Sequence, residues 1–373
     1  MKGDHENRRW QGQDDADKVV RKPEQVNRMR ARGLFVGIAS LVAATLFFLF
    51  GPMGHPGPAQ KEQILRIVAD VPLPGPPVRF DYQSLDASDG RLYIAHMNAD
   101  QLVVFDTRRR EVVANLDGFH RVHGVIAVPE LARIFASVTG DHQVAVVDRS
   151  SLKTLAKVGE IRYPDGLAYA PQDNRVFVSD EHGDADAVID AANNTLVTTI
   201  PLGGGAGNTL YDGGDKKILV AVHGKNELVK IDPRQAKVIE RNALTGLRDP
   251  HGVALDVENR LAFVAGEGNH KLVVVDLGTM QVGAPFSVGR DPDVLAFDNG
   301  RKRLYVAAES GDVTVFHERN RTLEPEGSIH LPHGHTVAVD PVTHLVYFPL
   351  EDVGGKPLLR IMECVDRTRG GRN

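Results

Sequence analysis

The chain has 373 residues, 42% of them hydrophobic, and a formal net charge of −5. That balance offers no general polyanion-binding surface, so nucleic acid is not indicated as a partner. The single cysteine, Cys364, excludes an internal disulfide and any thiolate cluster for a metal.

Residues 1–32 are charged and lack a hydrophobic period, which predicts a disordered tail. Residues 33–51, "GLFVGIASLVAATLFFLFG", carry no charge. As a helix they would span roughly 28 Å, the thickness of a bilayer's hydrocarbon core. Arg28, Arg30 and Arg32 crowd the N-terminal side, so the positive-inside bias keeps the tail in the cytoplasm and exports the chain beyond Gly51. A removable signal peptide is the competing reading. The run is long for one and no clean cleavage site comes after it, so a retained anchor is expected. The expected location is the inner membrane, single-pass, with the C-terminal part in the periplasm or cell exterior. Residues 52–63 are rich in Pro and Gly and read as a spacer.

From residue 64 the sequence repeats. Each unit has an apolar strand after a basic residue, a polar turn, and a second apolar strand ending in Asp: "RLYIAHMNADQLVVFD", "RIFASVTGDHQVAVVD", "RVFVSDEHGDADAVID", "KILVAVHGKNELVKID" and "RLAFVAGEGNHKLVVVD". The closing residues are Asp106, Asp148, Asp190, Asp232 and Asp276, about forty-two positions apart; a sixth copy closes on His317. With one strand before and one after this pair, each unit supplies four short antiparallel strands, which predicts a propeller blade. The last unit has three strands, and an orphan strand at 64–71 precedes the first. Placing the orphan as the outer strand of the last unit closes a seven-bladed ring over 64–366 and removes an exposed edge. The fold class is therefore all-β: a seven-bladed β-propeller behind an N-terminal transmembrane helix, with 367–373 as a tail.

The blades "RLYIAHMNADQLVVFD" and "PHGVALDVENRLAFVAGEGNHKLVVVD" resemble the YVTN-type repeats of YncE-like seven-bladed propellers. The likeness covers roughly 64–366. It departs from the pattern where the Tyr-Val-Thr-Asn slot reads "LYIAHMN", "VFVSDEH" or "LYVAAES". The resemblance implies the fold and many non-catalytic members. WD40-type Trp-Asp pairs are absent, and Trp10 is the one tryptophan, which rules out the Trp-rich blades of quinoprotein dehydrogenases.

A pentapeptide punctuates the blades: "RYPDG" at 162–166, "RDPHG" at 248–252, "RDPDV" at 290–294, with echoes in "HRVHG" and "HLPHG". Proline suits the position before a strand because it cannot donate to a ladder. Glycine after the His or Asp permits close approach near the axis. This lead-in loop and the turn leaving the second strand open on one face. The lead-in positions are Asp81, His123, Asp165, Asn208, His251, Asp293 and His333 or His335. The exit turns add His96, Glu181, His182, His223, Glu267, Glu309 and Glu351. Ligand-binding candidates are His96, Arg162, Asp165, His223, Arg248, His251, Arg290, Asp293 and Glu309. A ring of imidazoles and carboxylates also suits a divalent metal ion, with His123, His251, His333, His335 and Glu267 as candidate ligands. In "HGH" at 333–335 both imidazoles would share one side of an extended segment.

Each of these residues also has an ordinary structural reading, because Asp and His at loop–strand junctions bond neighbouring backbone. The closing aspartates have that reading alone and are expected to cap turns on the opposite face. "DEHGDAD" at 180–186 lacks the Gly and Glu of a calcium loop and reads as a solvated turn. "GGGAGN" at 203–208 precedes no helix and is not a phosphate loop. Three functions are expected from these features: a binding module for a small ligand, a metal or a periplasmic protein partner; a lactonase-type metal-assisted hydrolase; and a non-covalent haem carrier, suggested by the resemblance to propellers that hold haem d1. No G-x-S-x-G nucleophile motif is present.

Overall fold

The computed structural model describes residues 64–365. The predicted tail, anchor and spacer at 1–63, and the C-terminal tail at 367–373, lie outside the described residues. Among the described residues no helix is long and apolar enough to cross a membrane.

The described residues form seven four-stranded antiparallel sheets. Blades 1 to 6 occupy 83–117, 122–159, 164–201, 206–243, 250–287 and 292–330, each running in chain order from its first to its fourth strand. Blade 7 takes Ala338–Val339, Leu345–Leu350 and Leu358–Cys364 from the C-terminal end, and Leu65–Pro72 from the beginning. Leu65–Pro72 lies antiparallel to Leu358–Cys364, with Asp70 opposite Arg360. Arg360 donates two hydrogen bonds of 2.8 and 2.7 Å to the Asp70 carboxylate. The first strands touch from blade to blade, blade 7 to blade 1 included, so the ring is closed.

The hydrophobic pattern explains why the sheets stand radially. Second and third strands are buried on both faces, as in Leu102–Phe105, because each sheet packs between two others. Fourth strands alternate, as in Lys237–Ala243, because only one face is covered. The core is therefore a set of seven inter-blade layers. Tyr93, Ala95 and Val104 of blade 1 meet Ile134, Ala136 and Val147 of blade 2 in one of them. Ile94 and Phe105 meet Tyr347 and Ile361 in the layer that joins blade 1 to blade 7. One large residue recurs at the same register in every blade, namely Tyr93, Phe135, Phe177, Leu219, Phe263, Tyr305 and Tyr347, each with no exposed surface.

The face carrying the turns between third and fourth strands agrees with the expectation from sequence. Asp106, Asp148, Asp190, Asp232 and Asp276 each accept backbone N–H bonds from the following turn. Glu318 does the same for Arg321 in blade 6, where His317 replaces the aspartate. A second set, after the first strands, latches neighbouring blades. Arg149 donates to Asp86 at 2.5 Å, Arg260 to Asp212 at 2.6 Å, Lys302 to Asp256 at 3.2 Å, and His344 pairs with Asp298 at 2.9 Å. The acceptor carboxylates have no exposed side-chain surface.

Candidate functional site

The opposite face is built by the lead-in loops. In blades 2 to 6 the first strand slips register between its first and fourth residues. The two residues inside that bulge are released from the ladder, and a bulge re-aims its side chains. They include His123, Asp165, Asn208, His251 and Asp293. Glycine makes the crowding tolerable. A Cβ at Gly124 would lie 2.0 Å from the Asp165 carbonyl oxygen, and one at Gly252 would lie 2.2 Å from that of Asp293.

These side chains meet around the mouth of the central channel. His251 Nε2 is 3.8 Å from Asp165 Oδ2, and its Nδ1 is 2.8 Å from Glu267 Oε1 and 3.9 Å from Asp293 Oδ1. Arg79 reaches in from blade 1, 2.7 Å from Glu309 and 3.7 Å from Asp293. His123 Nε2 lies 4.0 Å from Asp81, and His335 Nδ1 lies 3.9 Å from Glu309. Tyr82 ties the ring together across the channel: its hydroxyl accepts a 2.7 Å hydrogen bond from Asn208 Nδ2 and lies 3.2 Å from His251 Nε2. Blade 1 thus meets blades 4 and 5, its opposite numbers in a ring of seven.

Burial and crowding set the charges. Asp293 is pushed up to about 7 by burial and by Glu309, against the pull of His251 and His335. Asp81 rises to about 6 through burial, which Arg79 only partly offsets. Asp165 rises well above the carboxylate range through burial and the neighbouring Asp81 and Glu181, and Glu181 rises as well. For His251, burial favours the neutral ring, but Glu267, Asp293 and Glu181 outweigh it and hold the imidazolium. Glu267 is held down at about 2 against its burial, by His251. His123 and His223 fall to about 4 because burial favours their neutral forms. Among the described residues the mouth is acidic, with Arg79 and His251 as its built-in cations. Two buried polar atoms in it, Asp165 Oδ1 and His223 Nε2, have no hydrogen-bond partner.

The structure divides the predicted residues. Asp165, His223, His251, Asp293 and Glu309 line the mouth together with Glu267. Arg162, Arg248 and Arg290 do not enter it; all three are exposed on the rim. His96 is a core residue, fully buried and stacked on Phe80 at 4.0 Å between ring centres. His333 departs from the expected extended geometry. Its φ is +59°, so the chain turns there, and the exposed imidazole faces Glu351 while His335 goes inward. Arg121, Asp249 and Asp291 hold the same left-handed position two residues before their lead-in side chains.

The five predicted metal ligands do not converge on one point. His251 and Glu267 stay together and gain His223, with one donor atom from each lying within 4.8 Å of the others. His335 joins Asp81 and Asp293 in a second group. His123 is satisfied as a neutral ring, with Nδ1–H donating to the Arg121 carbonyl at 2.7 Å and Nε2 facing the Tyr163 hydroxyl at 3.2 Å. "DEHGDAD" is not simply a solvated turn. Asp180 accepts from the Arg162, Tyr163 and Gly183 amides. Asp186 is fully buried, accepts from Thr209 Oγ1 at 2.7 Å, and is pushed up to about 7 by burial.

Sequence reasoning missed Tyr82 and Tyr163. Tyr82 did leave a signal, because the position after the lead-in residue is Gly, Val or Thr in the other blades.

Fold and mouth together define a seven-bladed β-propeller with a polar, acidic channel entrance. The solved structures include a chain from Kuenenia stuttgartiensis hydrazine synthase with a TM-score of 0.66. It is 15% identical, and the match covers 77% of this chain and 95% of that one. That likeness shows the propeller fold alone. No known protein family's sequence profile matches the chain, and no curated protein matches it by sequence.

Proposed function

We propose that the protein is a membrane-tethered, exported binding module of the YVTN-repeat, YncE-like kind, which takes a small cationic ligand or a metal ion at its channel mouth. The propeller fold supports a binding role, and the uncharged run 33–51 behind three arginines supports the tether. One observation carries the choice of ligand. Asp81, Asp165, Glu181 and Asp293, all pushed up by burial, gather with Glu267 and Glu309 around Arg79 and His251, and Asp165 Oδ1 is buried without a partner. Carboxyls that resist ionising because they are buried beside one another are relieved by an incoming cation.

The test uses the purified full-length protein in detergent at pH 7.5 and constant ionic strength. Zn²⁺, Mn²⁺, Ca²⁺, putrescine and arginine are added in turn, and Tm is read. At least one is expected to raise the Tm of wild type, and not that of a His251→Ala/Asp165→Asn variant. No shift with any of them, or equal shifts in both proteins, would refute the reading.

The hydrolase reading draws on one feature, the His251–Glu267 pair at 2.8 Å. Beside Glu267 this imidazole is held protonated, so without a metal ion in that proton's place the pair offers no free base. Binding is therefore preferred. Lactone turnover abolished by a chelator would reverse the preference.

A further inference from the structure

We propose that His223, His251 and Glu267 form a three-ligand site for a borderline divalent metal ion of the Zn²⁺ class, with its remaining position open to the channel. The inference deepens the binding reading and rests on it. Two imidazoles and one carboxylate are the donor set such ions take, and three protein ligands with one position left over is the arrangement of an open site. One donor from each residue already lies within 4.8 Å of the other two. Ligands around one tetrahedral centre sit roughly 3.3–3.5 Å apart, given metal–ligand distances of about 2.0–2.2 Å. Small side-chain rotations close that gap.

An independent observation points the same way. His223 is 9% exposed, and its Nε2 is buried with no hydrogen-bond partner. A buried ring nitrogen costs free energy when it bonds nothing, so its placement calls for an acceptor of its lone pair or proton. The backbone opposite is shaped around it. A Cβ at Gly207 would stand 3.1 Å from His223 Nε2 and 3.0 Å from His251 Cα, so a side chain there would crowd the His223 ring and the His251 backbone. The rings lie edge to face, 5.1 Å between centres. Metal binding would replace the proton that His251 and Glu267 now share, and that proton would pass to solvent.

The neighbouring group of Asp81, Asp293 and His335 is a poor rival, for a reason visible in its partners. Arg79 lies 3.7 Å from Asp293 and already supplies a fixed positive charge. His335 Nε2–H is committed to the Phe80 carbonyl at 3.0 Å. That leaves Nδ1 free to face the group, but the group already has its cation, which opposes a second one.

The test strips the full-length protein with a chelator and titrates it with Co²⁺, read by the visible absorption of the bound ion, and with Zn²⁺ in competition. One equivalent per chain is expected. His223→Ala is expected to weaken binding by more than the roughly 10–100-fold that accompanies loss of a merely supporting partner. His333→Ala is expected to bind as wild type does. His223→Gln, which keeps bulk and polarity, serves if the alanine variant does not fold; it too is expected to lose the ion. Wild-type affinity in the folded His223 variants would overturn the site. So would absence of Co²⁺ and Zn²⁺ binding in wild type. If other cations then still raised Tm through His251 and Asp165, the metal site would fall and the binding reading would stand; silence from every cation would remove both.

Discussion

The two faces of the propeller use the same acidic side chains to opposite ends. On the turn face, Asp86, Asp212, Asp256 and Asp298 are buried, and each meets a basic side chain of the next blade. On the channel-mouth face, Asp81, Asp165 and Asp293 are equally buried but stand beside one another, with Arg79 and His251 shared among them. The first arrangement fastens neighbouring blades. The second holds unrelieved repulsion at a point where seven blades converge. A repeat can therefore carry scaffold and site in one unit, distinguished by whether a partner comes from the next blade or must come from outside.

The comparison can be broken or sharpened by substitution, and the largest effect belongs to the turn face. Asp86→Ala removes a buried carboxylate that Arg149 meets at 2.5 Å and that also accepts from the Ser88 amide and hydroxyl, leaving Arg149 with Asp89. Losing a buried carboxylate that accepts charged and backbone hydrogen bonds costs about 3 kcal/mol, so chemical denaturation should show a loss of that order. A loss under about 0.5 kcal/mol would mean the latch is ornamental.

Next comes a gain on the opposite face. Asp293 binds its proton up to about pH 7 in the folded protein, whereas unfolded it releases it near 4. Its raised value means the folded state binds more protons across that window, so its contribution to stability falls as pH rises from about 4 to 7. Arg79, His251, Glu309, Asp81 and His335 all face it, and the sum of their fields is already in that shift. Asp293→Asn removes the penalty. The variant should match wild type at pH 4.5 and be more stable at pH 8, on the order of 2 kcal/mol. Equal stability at both pH values would show that Asp293 is not crowded.

Smaller still, Tyr82→Phe removes the cross-channel hydroxyl and strands Asn208 Nδ2. A cost of about 1 kcal/mol is expected, and a Tyr82→Phe/Asn208→Ala cycle should be non-additive. Strict additivity would separate blades 1 and 4. Last, His333→Ala should change stability by less than about 0.5 kcal/mol, as an exposed residue on a turn. A larger loss would return His333 to the site.

Much of this was legible in the sequence. The repeat set strand count and ring closure because each blade writes the same hydrophobic period, and the orphan strand at 64–71 appears as Leu65–Pro72 beside Leu358–Cys364. The lead-in aspartates and histidines could be placed on one face by counting. What they do there could not be counted, since it depends on backbone dihedrals and on side-chain reach. The left-handed turn at His333 sits at a position also held by Arg121, Asp249 and Asp291, so residue type does not mark it. His96 resembled its neighbours in sequence and lies under Phe80 because only the fold shows which exit-turn side chains are roofed.

The most direct test of the division between faces is the cation-induced rise in Tm at pH 7.5, measured on wild type, His251→Ala and Asp86→Ala. The expected result is a rise in wild type, none in His251→Ala, and an undiminished rise in Asp86→Ala from a lower starting Tm. A rise that survives in His251→Ala, or disappears in Asp86→Ala while that variant remains folded, would contradict the assignment of the binding site to the channel mouth.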